Sequence, residues 1–309
     1  MAALEDVISM KPFSREDIES IMDLAESYED FARGKKETDL LANKVLCTLF
    51  YEPSTRTRLS FESAILRLGG KLMSVADAMS TSSVWKGESL GDTVRTIENY
   101  ADVIAMRHPV AGAAEEAAKH ASIPIINAGD DANEHPTQAL LDLLTIRRER
   151  GHIDGLRIAV VGDHKYSRVT KSLIYGLAHY DVNVTLVNPP ALAISKDILE
   201  DVKNSRATIK ETDDINKALG KADVVYIFRI QKERLPAEEY ERVKGSYIIN
   251  RSMLEKTGRE ITVMHPMPRV DELLEDVDSY PGACYFRQSF NGVMIRMALL
   301  ALVLGKAKI

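Results

Sequence analysis

Ser54-Thr55-Arg56-Thr57-Arg58 follows a short apolar run and opens a helical pattern. The first turn of a helix offers unpaired N–H groups and the positive end of its dipole, so that position binds anions. Hydroxyls and a guanidinium in the same turn add charge-assisted hydrogen bonds. These residue types describe a phosphate site; the competing reading is a solvated N-cap with surface arginines. Three further polar segments stand in comparable places. Arg107-His108-Pro109 ends an apolar run, His135-Pro136-Thr137-Gln138 opens a long helical pattern, and His265-Pro266-Met267-Pro268-Arg269 ends another apolar run. In open α/β sheets ligands bind beyond the carboxyl ends of the strands. Four polar segments at such ends argue for one ligand-binding face, where any single His-Pro would read as a cap.

The elements that must position these segments follow from the pattern of apolar residues. Ser14-x-x-Asp17 has the form of a capping box, and helical spacing runs from Ile18 to Phe31 with Gly34 as the stop. Val45–Tyr51, Lys71–Val75, Val103–Met106 and Ile123–Asn127 read as strands with helices between them. A helix is expected over Thr137–Arg150, ended by Gly151. The alternation then restarts, with strands at Arg157–Val161, Asn183–Val187, Thr208–Ile209, Val224–Phe228, Tyr247–Ile249 and Ile261–Val263, and a closing helix over Asn291–Leu304. Strands alternating with helices predict α/β domains, each a parallel sheet flanked by helices on both faces. Two domains are expected: residues 1–136 joined by the terminal helix 291–309, and residues 137–290.

A chain of 309 residues with 45% hydrophobic and 28% charged residues fits such a two-domain enzyme, with no need of a metal or disulfide staple. The formal net charge is −6 and no Lys/Arg run stands out, which argues against a nucleic-acid partner and requires any anion site to be built from locally placed arginines. The two cysteines, Cys47 and Cys284, form no CxxC pair, so no zinc site is expected; their sparseness fits a reducing, cytoplasmic setting. No signal-peptide pattern is read at the N-terminus, and the apolar stretch from Val293 to Leu304 is too short to span a membrane and contains Arg296. The segment Arg157-Ile-Ala-Val-Val-Gly-Asp163 imitates the opening strand of a dinucleotide fold, but Gly162 is followed by Asp-His-Lys-Tyr-Ser-Arg instead of the further glycines that let a backbone approach a pyrophosphate.

Ser54-Thr-Arg-Thr-Arg58, Ser83-Val-Trp-Lys-Gly-Glu-Ser89, Arg107-His-Pro109, His135-Pro-Thr-Gln138 and His265-Pro-Met-Pro-Arg269, in this order and spacing, resemble the carbamoyltransferase family over essentially the whole chain. The resemblance implies an N-terminal carbamoyl-phosphate domain, a C-terminal amino-acid domain and a homotrimer. Ornithine-specific members carry Asp-x-x-x-Ser-Met-Gly and His-Cys-Leu-Pro segments; this chain has neither. Phe228-Arg-Ile-Gln-Lys-Glu-Arg-Leu235 is similar to the aspartate-binding loop of the aspartate branch. Charge logic agrees, since L-aspartate brings two carboxylates to Arg168, Arg229 and Lys86.

By the same resemblance, Ser54, Thr55, Arg56, Thr57 and Arg107 hold the phosphate of carbamoyl phosphate. Thr57, Arg107 and His135 polarise the carbamoyl oxygen, with His135 as a hydrogen-bond donor. Gln138 and the main-chain carbonyls of Met267 and Pro268 accept from the carbamoyl NH₂. Met267 stands where Leu is commoner in the family, a nearly volume-conserving exchange if the carbonyl does the work. The Met267-Pro268 peptide is expected to be cis, as in relatives, rather than trans in an ordinary turn. Arg168 and Arg229 grip the aspartate carboxylates with Gln231 near the amine; the competing reading of Arg229 pairs it with Glu233. Ser83 and Lys86 come from the neighbouring subunit. No cofactor and no metal is implied. Relatives of this length occur as bare trimers or with separate zinc-containing regulatory chains, and the sequence leaves that choice open. The implied reaction is an early step of de novo pyrimidine biosynthesis.

Overall fold

The computed structural model describes residues 4–81 and 86–308. The described chain forms two compact units, Met1–Leu141 with Phe290–Ile309, and Asp142–Ser289. The chain passes between them inside two helices, Pro136–Arg150 and Tyr285–Val303.

The first unit is built on a parallel sheet of β1 (Val45–Phe50), β2 (Lys71–Ala76), β3 (Val103–His108) and β4 (Ile125–Asp130), in the order β2-β1-β3-β4. β1, β3 and β4 are buried almost throughout, which is why they read as mainly apolar runs without alternation: parallel strands are covered on both faces. The edge strand β2 is largely exposed. One flank packs Leu49, Val94, Ile104, Met106 and Ala117 into a core. The β3–β4 register slips between Met106↔Asn127 and His108↔Asp130, placing an extra residue on β4 at the end where Arg107 emerges.

The second unit carries a five-stranded parallel sheet of β5 (Arg157–Val161), β6 (Asn183–Val187), β7 (Thr208–Thr212), β8 (Val224–Ile227) and β9 (Thr262–Met264), in the order β7-β6-β5-β8-β9. Val161, Val225, Ile227, Val263 and Tyr285 belong to one of its core clusters. Tyr247–Ile249, expected as a strand, makes only an isolated bridge, Ile249 to Leu273. Ile249 is buried but Ile248 is exposed, and the run pairs with the 272–274 loop instead of a sheet edge.

The Ser14–Asp17 capping box forms as expected, and the apolar run behind it breaks at Tyr28 into helices Arg15–Ser27 and Glu29–Ala32. The closing helix begins at Tyr285, six residues before Asn291, since no helix breaker lies between them. Among the described residues no helix is long and apolar enough to cross a membrane.

Candidate active site

In the first sheet the chain runs from β1 to β2 on one side and then returns to β3 on the other. Strand order therefore reverses between β1 and β3, the position where open sheets bind ligands. The loop after β1 delivers Ser54 and the helix Thr55–Arg67; the end of β3 delivers Arg107. Ser54 holds an extended N-cap conformation (φ −155°, ψ 100°) without a side-chain hydrogen bond to its helix. The first-turn N–H groups are thus not occupied by their own cap, the condition for an anion to take them. Thr55 and Arg56 are exposed and Ser54 is half-buried.

Behind this turn lies a buried triad. Arg107 donates from Nε to the carbonyl of Ala128 (2.9 Å), which lies in the register slip of β4, and from Nη2 to Oγ1 of Thr57 (3.1 Å). Nη2 also meets Nε2 of His135 at 3.3 Å. A guanidinium has no lone pair to give, so Nε2 accepts and a neutral ring carries its proton on Nδ1. The sequence led us to expect His135 as a donor; from Nε2 it donates only after Arg107 turns away and the tautomer changes. Gln138 is buried one turn further on, its N–H bonded to the His135 carbonyl at 3.0 Å. The terminal helix reaches the same region: buried Arg296 donates to Ser60 (2.9 Å) on the Thr55–Arg67 helix and to Thr137 (3.3 Å).

Sequence reasoning missed what holds His135. Buried Asp130 accepts from Asn127 Nδ2 (2.9 Å), Asn133 Nδ2 (2.9 Å), Gly112 N (2.8 Å) and Glu134 N (3.0 Å). Glu134 in turn takes the Met10 N–H (2.9 Å) and the Ser9 hydroxyl, tying the N-terminal segment to the loop before His135. The available signal was the run Asn127-Ala-Gly-Asp-Asp-Ala-Asn-Glu134, whose side chains bond readily to nearby backbone.

The second sheet repeats the logic. Strand order reverses between β5 and β8, and their ends deliver Arg168 and Arg229. Arg168 is half-buried at the first position of the helix Arg168–Leu177, behind a Ser167 cap. Arg229 donates from both terminal nitrogens to the Glu233 carboxylate, one of the two bonds measuring 2.8 Å. This pair raises the arginine and holds Glu233 below the usual carboxylate range. The alternative pairing considered for Arg229 is therefore present, and it fixes the guanidinium plane. Gln231 donates from Nε2 to the Tyr166 carbonyl (3.1 Å), as Arg234 does (2.9 Å). Asp163, also missed from sequence, is fully buried and accepts from the N–H of Tyr166 at 3.0 Å; burial pushes its carboxyl up. Gly162 has φ 141°, and a Cβ there would lie 2.3 Å from the Phe228 carbonyl oxygen. Contact between strand ends, not a dinucleotide, explains this glycine.

At the end of β9, the Met267-Pro268 peptide is cis, and Met267 has φ 58°. Arg269 of the same motif is committed elsewhere, to Asp278 (2.8 Å from Nη2) and the Tyr285 hydroxyl (3.3 Å). Lys86 is exposed, and Ser83 lies outside the described residues. Cys47 and Cys284 are buried and free, and burial pushes both thiols up, Cys47 to about 12. Among the described residues no cluster of His, Cys, Asp and Glu could hold a metal ion.

Residues 5–148 match the aspartate/ornithine carbamoyltransferase carbamoyl-P binding domain, and residues 154–303 match the Asp/Orn binding domain. The aspartate carbamoyltransferase catalytic subunit of Thermococcus onnurineus is 52% identical over 301 residues, 97% of each chain. Among solved structures, the catalytic subunit of M. Jannaschii aspartate transcarbamoylase superposes with a TM-score of 0.90 at 49% identity, covering 98% of each chain. The aspartate transcarbamoylase of Trypanosoma cruzi in complex with carbamoyl phosphate and aspartate gives a TM-score of 0.92 at 39% identity, over 97% of this chain and 96% of that one. Two domain matches that together span the chain, and relatives alike over nearly their full length, have one meaning: the chain belongs to the aspartate/ornithine carbamoyltransferase family.

Proposed function

We propose that the chain transfers the carbamoyl group of carbamoyl phosphate to the amine of L-aspartate, forming N-carbamoyl-L-aspartate and phosphate, an early step of pyrimidine synthesis. The observation that carries this reading is that each unit delivers arginine at its own strand-order reversal: Arg107 in the first sheet, Arg168 and Arg229 in the second. A dianionic amino acid suits two arginines, whereas the side-chain ammonium of ornithine would require an acid there.

The phosphate turn takes Ser54, Thr55, Arg56 and Thr57 with Arg107 as ligands. Phosphate is already a good leaving group, so the work is positioning and charge stabilisation. The aspartate amine attacks the carbamoyl carbon, and a tetrahedral intermediate forms with negative charge on the carbamoyl oxygen, facing Thr57, Arg107 and His135. Gln138 and the carbonyls of Met267 and Pro268 accept from the carbamoyl NH₂ and orient it. The C–O bond to phosphate breaks, and the departing phosphate takes the amine proton. Arg168 and Arg229 hold the carboxylates, with Gln231 beside the amine. The first unit thus acts as the carbamoyl-phosphate domain and the second as the aspartate domain.

The working form is a homotrimer in which Ser83 and Lys86 reach a neighbour's site. Leu59 and Leu66 on one face of the Thr55–Arg67 helix, with Met73 on edge strand β2 and Met79 just beyond it, are exposed apolar residues of the first unit and suit a subunit interface. The buried free thiols fit a cytoplasmic setting.

The test is a colorimetric ureido assay on purified protein with carbamoyl phosphate and either aspartate or ornithine. Carbamoyl-aspartate is expected, with no turnover of ornithine. Faster carbamoylation of ornithine overturns the assignment.

A further inference from the structure

Two of the three His-Pro segments close on themselves in the same way. After β3, Nδ1 of His108 accepts the N–H of Val110 at 3.1 Å; after β9, Nδ1 of His265 accepts the N–H of Met267 at 2.8 Å. Each ring thus bonds the backbone two residues ahead, across an intervening proline. The third segment differs: the His135 carbonyl opens a helix, and its ring Nε2 accepts from Arg107.

In the second unit this turn is buried and braced. A neutral imidazole that accepts through Nδ1 carries its proton on Nε2. His265 Nε2 lies 2.7 Å from Oε1 of Glu272, so the ring donates there. Both side chains are buried, at 1% and 7% exposure. Burial raises the Glu272 carboxyl, but the bonds from His265 and the backbone outweigh it and leave the group below its ordinary value. Glu272 also takes the N–H groups of Val270 and Asp271, so one carboxylate gathers the loop that follows Pro268. The main-chain N–H of His265 is held by Gln288 (3.0 Å), which donates in turn to Asp142 (2.7 Å).

The backbone so held is unusual. Met267 has φ 58°, the left-handed region that a residue with a branched or bulky side chain rarely enters. Its N–H points at the His265 ring, and its carbonyl and that of Pro268 are the groups assigned above to the carbamoyl NH₂. We infer that His265 is a positioning residue: its Nδ1, oriented by Glu272, fixes the Met267 backbone in the conformation that aims these two carbonyls at the substrate. The inference rests on the carbamoyl-transfer reading and adds to it a residue that touches no substrate.

The experiment uses three variants of the full chain. In His265→Asn, the amide oxygen stands two bonds from Cβ, as Nδ1 does, and keeps an acceptor for the Met267 N–H. His265→Gln places its amide one bond further out, where Nε2 was, and His265→Ala keeps neither. The Asn variant should hold kcat/KM for carbamoyl phosphate within about fivefold of the parent, the scale of one neutral hydrogen bond. The Gln and Ala variants should fall by about 100-fold, the scale of a 1 Å misplacement. Hydrogen exchange of the 264–270 segment should remain slow in the Asn variant and quicken in the others. A role confined to general stability would order the variants by melting temperature and not by which acceptor survives. Equal losses in the Asn and Gln variants, or a Gln variant as active as the parent, overturn the inference. Should Gln and Ala fail to fold, a hundredfold loss in folded Asn variant overturns it alone. A parent protein without carbamoyltransferase activity would instead sink the functional reading, and the exchange rates would still decide whether His265 holds the turn.

Discussion

Asp223 sits at the ends of β5, β8 and β9 opposite to those that carry the arginines, and it supports a prediction that separates stability from activity. Its Oδ2 accepts the Arg157 main-chain N–H and Nε, each at 2.9 Å; Oδ1 accepts Arg157 Nη2 (2.7 Å) and Arg259 Nη2 (2.8 Å). Burial alone would raise this carboxyl, but the two guanidinium groups and the backbone N–H reverse the effect and bring it from 3.8 to about 2. The carboxylate is 10% exposed, but the Arg157 side chain is 43% exposed, so solvent screens part of the attraction. At about 1.4 kcal/mol per pH unit, the gap corresponds to about 2 kcal/mol of folded-state stability. The folded value is depressed, so this contribution is complete above the ordinary value of 3.8 and is lost as pH falls towards 2. With that screening, Asp223→Asn should destabilise the second unit by about 1–2 kcal/mol at pH 7, and the difference from the parent should shrink between pH ~4 and ~2. Two units need not unfold as one, so the measurement is denaturant-dependent hydrogen exchange in β5 and β8. Turnover at pH 7, at a temperature where both proteins are folded, should match the parent within about twofold, since this end of the sheet lies away from the ligand-binding face. A variant as stable as the parent at neutral pH, or a stability gap that persists undiminished near pH 2, refutes the reasoning.

Three further outcomes test the two half-sites. Arg229→Ala should raise the aspartate KM by about 10–100-fold, the loss of charge-assisted bonds to a carboxylate, and leave phosphate affinity nearly intact; Arg56→Ala should do the reverse, and identical defects in initial-rate kinetics would undo the division. Thr57→Val removes a donor at the carbamoyl oxygen and the hydroxyl that Arg107 contacts, and should lower kcat by about 100–1,000-fold with the fold retained by circular dichroism. Lys86→Ala and Arg56→Ala should each be nearly inactive at subsaturating carbamoyl phosphate. When they are dissociated and reassembled together, activity should reappear in sites whose body comes from one parent and whose loop comes from the other; inactive mixed trimers, verified by mass, would place Lys86 within its own chain's site.

What the sequence revealed and what it withheld divide along contact range. The strands were legible because parallel strands buried on both faces leave mainly apolar runs, and Val45–Phe50 and the first four residues of Val103–His108 are such runs. Tyr247–Ile249 resembles one but has one exposed isoleucine and no sheet neighbour, a distinction set by tertiary surroundings. Ser54–Thr57, Arg107 and His135 stood out as polar segments after apolar runs or at helix starts, whereas Arg168 and Arg229 entered through the family resemblance. The supports behind them were not legible. Glu134 meets Ser9 and Met10 from more than 120 residues away, and Arg296 meets Ser60 across 236. In the sequence, Arg296 served only to argue that an apolar stretch does not span a membrane.

The helix that carries Arg296 imposes an order on biosynthesis. The first unit lacks Phe290–Ile309 until about 150 residues beyond Leu141 have been made. At ~5–20 residues per second that is a delay of about 7–30 s. Throughout it, Ser60 and Thr137 lack the guanidinium that bridges them, and Phe61 lacks the cation that stacks on its ring. The second unit, Asp142–Ser289, is one continuous stretch and is complete first. The amino-terminal half of this chain is therefore the last to mature on the ribosome, and a nascent chain released before Phe290 would carry a complete second unit and a first unit still lacking its closing helix.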